Sequence, residues 1–320
     1  MRDVLATLAP TLQRLLGPFL AAACGCCALA GCGLGAGPAP GAVQLLVTRD
    51  FGARVLSASD RPKLAGEETA MSLLMRNDAV STRFGGGFVQ SIDGLSGGRE
   101  AGQPIDWFYY VNGVQAGKGA ASTKVHPGDH IWWDRHDWSQ TEDVPAVVGS
   151  FPEPFLNGLE GKRLPVRVDC VEVGGYACAT VTQRLRALGV PAAIAGIGAG
   201  GGALTLTVLV GQWSQLGGDL SAGTIRQGPR ASGVYARLSS DGSTLTLLDQ
   251  NGRPRHTLLG GAGLIAATRH AEDAPVWVVT GTDSSGVDLA ARSFDAGVLD
   301  GRFAVALTPS GAVALPEVGR

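Results

Sequence analysis

Short runs of alternating apolar and polar residues, separated by glycine-rich turns, fill most of the chain beyond residue 41. The runs Gly41–Thr48 and Ala53–Ser57 bracket Asp50-Phe51-Gly52 and predict a hairpin. Ala70, Leu73 and Leu74 then recur at helical spacing behind Glu67-Glu68-Thr69, with Thr69 placed to cap the helix. Val80–Phe84 and Phe88–Ile92 have strand character and flank Gly85 to Gly87. Asp106–Val111 ends in Asn112-Gly113, a strong short-range hairpin signal, and His126-Pro127-Gly128-Asp129 turns into His130–Asp134. Two strands, a helix and then three or more strands is the order of a β-grasp, a ubiquitin-like mixed sheet over one helix. Residues 42–154 are assigned to it.

The pattern changes further along. Pro145 to Pro154 is too interrupted by proline for a central strand and predicts an extended connector lying on the fold. Residues 155–163 follow as a linker, and residues 164–320 are assigned to an α/β domain of mixed sheet and flanking helices. Pro165–Cys170 is a strand. Ala177–Leu188 is a helix with Cys178, Val181, Leu185 and Leu188 on one face and Gly189 at its C-terminal cap. Ala192–Ala195 and Leu204–Val210 are strands around the glycine run Gly196 to Gly202. A phosphate-binding loop needs a helix after its glycines, whereas an alternating run follows here, so a hairpin loop is expected. Pro275–Thr280 is a strand, and Val287, Ala290, Ala291 and Phe294 space a helix that Asp283 or Ser284 caps. Thr282, Asp283 and Ser284, between strand and helix, form a secondary ligand candidate, because α/β sheets bind ligands at such places. Arg302–Leu307 closes the sheet. The fold class is therefore α+β.

Ahead of these runs, Leu15 to Gly31 carries no charge, follows Arg2 and Arg14, and ends in Leu29-Ala30-Gly31-Cys32. This reads as a lipoprotein signal peptide over residues 1–31, cut before a lipid-bearing Cys32, with a Gly/Pro/Ala tether over residues 32–41. It places the protein on the extracytoplasmic face of a cell membrane, held there by its lipid. Losing Arg2, Arg14 and Asp3 turns 26 basic and 28 acidic side chains into 24 and 27. With no block of Lys and Arg to track a phosphate backbone, nucleic acid is not an expected partner. Cys24, Cys26 and Cys27 leave with the signal. Cys170 and Cys178 are left as an even pair in an oxidising compartment, where a disulfide is expected.

Four of the six tryptophans (Trp107, Trp132, Trp133 and Trp138) fall within residues 107–138. Strand neighbours face opposite sides, so Trp107, Tyr109 and Val111 share one face and Phe108 and Tyr110 the other. Trp132 and Trp133 are likewise not both expected in the core. One set should pack on the helix, leaving the other exposed as an interaction surface or covered by the second domain. His130, Trp132, Asp134 and His136 share a strand face near His126. Strand positions two and four apart spread over ~7–14 Å, so a solvated polar face is expected there and no metal site.

Thr69 and its helix, Gly87-Phe88-Val89, Ser91-Ile92, Asp106–Gly113 and Gly128-Asp129-His130-Ile131-Trp132-Trp133 resemble bacterial surface domains related to the C-terminal, cobalamin-capping domain of transcobalamin and intrinsic factor. The resemblance covers about one third of the chain. It implies an extracytoplasmic ligand-binding module, with a corrinoid or another small molecule as ligand and no catalytic residues. The large helical domain that completes the animal cobalamin clamp has no counterpart here. No Gly-x-Ser-x-Gly or His-Glu-x-x-His motif occurs, and His256 and His270 stand alone beside turns. The chain is thus expected to be non-catalytic and without a cofactor, capturing a ligand for a membrane transporter through Trp107, Tyr109, Asn112, Trp132, Trp133 and Trp138. The alternative is a cell-envelope structural protein that docks a membrane partner or glycan through the same aromatic residues.

Overall fold

The computed structural model describes residues 42–59, 64 and 66–318. The expected signal peptide, the expected lipid-bearing Cys32 and the expected tether lie outside the described residues. Strands dominate, in four sheets with few helices, and the mixed α+β class holds. In the N-terminal part the strands are β1 (Gln44–Arg49), β2 (Arg54–Ser59), β3 (Val80–Arg83), β4 (Phe88–Ile92), β5 (Leu95–Ser96), β6 (Gly98–Glu100), β7 (Gln103–Val111), β8 (Val114–Gln115) and β9 (His130–Asp137), with helix α1 (Ala70–Asn77) between β2 and β3. Six of these strands form one sheet in the order β2-β1-β9-β7-β6, with β8 paired to β7; β3, β4 and β5 form a small second sheet. Strand β1 runs parallel to β9, and β9 antiparallel to β7.

Local sequence explains several of these elements. The Thr69 hydroxyl accepts from the Ser72 amide while the Ser72 hydroxyl accepts from the Thr69 amide, so α1 starts with a reciprocal capping box. Asn112 and Gly113 both have positive φ, 53° and 78°, as the tight turn between β7 and β8 requires.

The C-terminal part contains β10 (Val166–Cys170), α2 (Tyr176–Ala187), β11 (Ala192–Gly196), β12 (Leu206–Gln212), α3 (Trp213–Leu216), α4 (Pro229–Ser232), β13 (Ala236–Leu238), β14 (Leu245–Leu248), β15 (Pro254–Leu258), β16 (Gly263–Thr268), β17 (Val276–Gly281), α5 (Ser284–Arg292), α6 (Ala296–Leu299), β18 (Ala304–Thr308) and β19 (Gly311–Leu315). Its main sheet has seven strands in the order β11-β10-β12-β17-β16-β18-β19, and β13 to β15 form a separate meander. Both β11 and β12 pair with β10 and run parallel to it. The expected hairpin around Gly196 to Gly202 is therefore a crossover past β10. Arg167 on β10 donates to the Gly200 carbonyl, laying the glycine run along that strand. Alternation in the flanking strands gives their type but cannot show that a third strand lies between them. The disulfide joins Cys170 at the end of β10 to Cys178 in the first turns of α2.

Side-chain alternation sorts the interior into three apolar clusters. On one face of the seven-stranded sheet, Val168, Val208 and Val279 pack with Val181 and Leu185 of α2 and Ala290 of α5. On its other face, Ala266, Val278 and Phe303 meet Tyr110 and Trp132 of the N-terminal sheet, Phe51 in the β1–β2 turn and Tyr235 ahead of the meander. The third cluster joins Leu73 and Leu74 of α1 to Leu45, Trp107, Tyr109 and Trp133.

The N-terminal sheet is thus covered on both faces. Trp132 and Trp133 are both buried, at 0% and 2% exposure, in different clusters. The face expected to be polar and solvated is buried as well. His130, Asp134 and His136 are enclosed because the seven-stranded sheet packs over them. The connector is extended only over residues 144–147, where Ala146 bridges Val114 of β8. From residue 148 it runs in turns, with Val147, Val148, Phe151 and Phe155 buried and feeding both clusters of the larger sheet. Proline removes ladder donors there, so the segment adds only this single bridge to the N-terminal sheet, yet its apolar side chains still need cover.

Candidate functional site

A groove of about 230 Å³ opens where β4, β7 and β9 meet the loop after β8; its lining includes Met71, Phe88, Trp107, Tyr109, Lys118 and Trp133. Each wall has a local cause. Tyr109 and Trp133 sit opposite each other on β7 and β9, and their rings stack at 4.7 Å. The Trp107 indole N–H donates to the Leu95 carbonyl at 3.0 Å, fixing that ring against β5. The Tyr109 hydroxyl donates to the Lys118 carbonyl and shares a hydrogen bond with Thr123, tying the 118–123 loop to the sheet. Burial pushes the Tyr109 phenol above its ordinary value, so it serves as a neutral donor.

Two features set the groove apart from plain core. The Trp133 indole N–H is buried in its wall and has no hydrogen-bond partner among the described residues. A buried donor without an acceptor costs about 1–3 kcal/mol. At the rim, Phe84 is 86% exposed, beside Phe88 at 38%, and the two rings meet edge to face at 6.2 Å. Phe84 has φ of 54°, a left-handed conformation unusual for an aromatic residue, followed by positive φ at Gly85 and Gly86. An exposed aromatic ring held in that backbone state is a feature of binding loops more than of packing. Lys118 at the same rim pairs with Glu160 at 2.9 Å and holds the Glu160 carboxyl below its usual range.

Of the residues expected to bind a ligand, Trp107, Tyr109 and Trp133 line this groove. Trp132 does not. It is fully buried on the opposite face, where its indole donates to the Thr48 hydroxyl at 2.7 Å. Asn112 is also fully buried and committed. Its amide donates to Asp129 and to the Gly158 carbonyl, both at 2.8 Å, and its carbonyl accepts from the His130 amide. Trp138 is half-buried beyond the end of β9 and outside the groove lining. Phe84 and Phe88 were missed as site residues. The signal available was two aromatic residues flanking three glycines.

The histidine-bearing face of β9 is a structural knot. Asp134 accepts from the amides of Phe51 and Gly52, at 3.0 and 2.8 Å, and from the Thr48 hydroxyl. His136 bonds Asp134 at 2.7 Å and lies stacked between Phe51 and Phe108, at 4.4 and 4.5 Å. Burial alone lowers the His130 pKa to about 4, which keeps that ring neutral. Among the described residues no three of His, Cys, Asp and Glu are grouped to hold a metal ion.

In the secondary candidate, Asp283 caps α5 by accepting from the Gly286 amide at 2.8 Å and also accepts from the Gly261 amide at 2.7 Å. The Gly286 hydrogen bond is the main reason that its carboxyl lies below the usual range. The Thr282 hydroxyl bonds the backbone of Leu259 and Ala262, while Ser284 borders a separate crevice.

The model of a protein family described as a domain of unknown function, DUF4430, matches residues 67–137, a span that contains every residue lining the groove. No curated protein matches the chain. Among solved structures, a crystal structure of a "putative metal binding protein" from Ruminococcus gnavus is similar at 15% sequence identity and a TM-score of 0.25; the match covers 30% of this chain and 96% of that one.

Proposed function

We propose that this protein is a non-catalytic, lipid-anchored ligand-binding protein of the extracytoplasmic membrane face, and that its ligand seats in the groove of Trp107, Tyr109 and Trp133. The observation that carries the reading is a groove walled by Trp107, Tyr109 and Trp133, with Phe88 partly exposed in its lining and Phe84 exposed against Phe88. An apolar ring is complementary to that set. The order β2-β1-β9-β7-β6, with β1 parallel to β9 and α1 following the first hairpin, supports reading residues 42–154 as a β-grasp of the transcobalamin C-terminal type. At about 230 Å³ the groove is smaller than the cavities of roughly 300–1,000 Å³ that enclose drug-sized ligands. It would hold one ring or one edge of a corrinoid rather than the whole molecule. Lipid attachment at Cys32 would keep such a module beside a membrane transporter.

Tryptophan fluorescence of the full chain in detergent, titrated with a corrinoid and a panel of smaller ring compounds, tests this. Saturable quenching is expected, and Phe84→Ala should weaken it about tenfold, the share of an aromatic side chain's burial that one rim contact supplies. The melting temperature should not change, because the ring is exposed. No quenching across the panel, together with a membrane protein that co-purifies and is lost in Phe84→Ala, would replace this reading with that of an envelope docking protein.

A further inference from the structure

The seven-stranded sheet has a crevice of its own. The chain leaving β10 turns into α2 on one face of the sheet, and the chain leaving β12 turns into α3 on the other. Adjacent parallel strands whose connections diverge in this way leave a gap at their carboxyl ends, the usual ligand position in open α/β sheets. A cavity of about 170 Å³ occupies it, floored by Val171, Val210 and Gly211 and closed on the far side by the start of α5. Gly211 is needed for this shape, since a Cβ there would lie 2.3 Å from the Val171 side chain.

Six polar or aromatic residues border the cavity: Glu172, Tyr176, Gln212, Gln215, Ser284 and Asp288. No Lys or Arg lines it. Neither carboxylate has an ion-pair partner among the described residues. Two acidic residues, two glutamines and a serine therefore line one small space without a protein cation, and Tyr176, also in the lining, is 55% exposed. Metal chelation is not what this set offers, because no three ligating side chains are grouped among the described residues. Acceptors, an aromatic ring and valine walls together match an alkylammonium group, whose charge meets carboxylate and ring while its carbon meets the walls.

We propose that this crevice is a second ligand site, distinct from the aromatic groove, which takes a small organic ammonium ion. Glu172 and Asp288 supply the countercharge, Gln212, Gln215 and Ser284 accept hydrogen bonds, and Tyr176 covers the cation. The inference does not rest on the groove, whose residues all precede residue 134.

Isothermal titration of the full chain in detergent with choline and with ethanolamine tests it, against 3,3-dimethyl-1-butanol, the uncharged counterpart of choline. Saturable binding of either ammonium ion is expected, at least about tenfold tighter than the uncharged alcohol, because a charge-assisted contact is worth roughly 1.5–3 kcal/mol. The double variant Glu172→Gln, Asp288→Asn should lose it, and Phe84→Ala should retain it. Absence of heat with both ammonium ions, equal binding of the alcohol, or parental affinity in the double variant would overturn the proposal. So would saturable binding of calcium chloride, with no ammonium binding, that the double variant abolishes.

Discussion

Asn112 shows how much one side chain can hold. It adopts a left-handed conformation in a two-residue turn and spends three hydrogen bonds on the 126–129 turn, the start of β9 and the backbone at Gly158. Asn112→Ala leaves those partners unpaired and strains the backbone. A loss of about 3–4 kcal/mol is expected in denaturant unfolding, with Asn112→Gly recovering about 1 kcal/mol by relieving the strain alone. Glu153 is the other residue with a measurable signature. It is 5% exposed, and burial raises its pKa to about 7, with nearby Asp129 adding to the rise and the Asn157 hydrogen bonds and Arg163 opposing it. The native state then holds a proton that the unfolded chain releases near pH 4.5. The associated stability is complete below that value and is lost as pH rises to about 7. Glu153→Gln should flatten the slope and be more stable than the parent at pH 8, by on the order of 2 kcal/mol, in unfolding followed from pH 5 to pH 8. A slope unchanged by the substitution would rule this out.

Elements whose determinants are local were readable in advance. Thr69 capping, the Asn112-Gly113 hairpin, Asp283 at the start of α5 and the Cys170–Cys178 bridge each depend on a few neighbouring residues. The bridge closes a loop with a sequence separation of 8. Loop-closure entropy gives about 2.5 kcal/mol for a ring of that size, so the Cys170→Ser, Cys178→Ser variant should unfold at correspondingly lower denaturant. What was not readable depends on distant partners. The strands flanking Gly196 to Gly202 are the same whether they pair with each other or pass β10, and only the whole sheet decides between the two. The candidate site divides in the same way. Aromatic density pointed to Trp107, Tyr109 and Trp133, but alternation could not show that Trp132 lies beneath Phe303. The exposure of Phe84 is set by a short run of positive φ that no periodicity encodes.

At the scale of the molecule, the two sheets share an interior. Phe51, Tyr110 and Trp132 lie in one cluster with Tyr235, Val278 and Phe303, although 180 or more residues separate some of these partners in the sequence. Gly52 seals the junction: its φ is +81°, and a Cβ there would lie 2.0 Å from the Gly301 carbonyl oxygen. Residues 42–318 should therefore melt in a single calorimetric transition, and Gly52→Ala should lower it by separating the sheets. Two resolved transitions would contradict a shared interior. The pairing of β1 with β9 has a mechanical meaning as well. Because the strands are parallel, tension applied at residue 42 and resisted through the rest of the chain pulls β1 and β9 in opposite directions along their length. The six paired positions from Gln44 to Arg49 are then loaded together in shear instead of opening one after another. A protein tethered by its N-terminus would transmit that tension to the sheet behind the aromatic groove, where the ladder would resist it collectively.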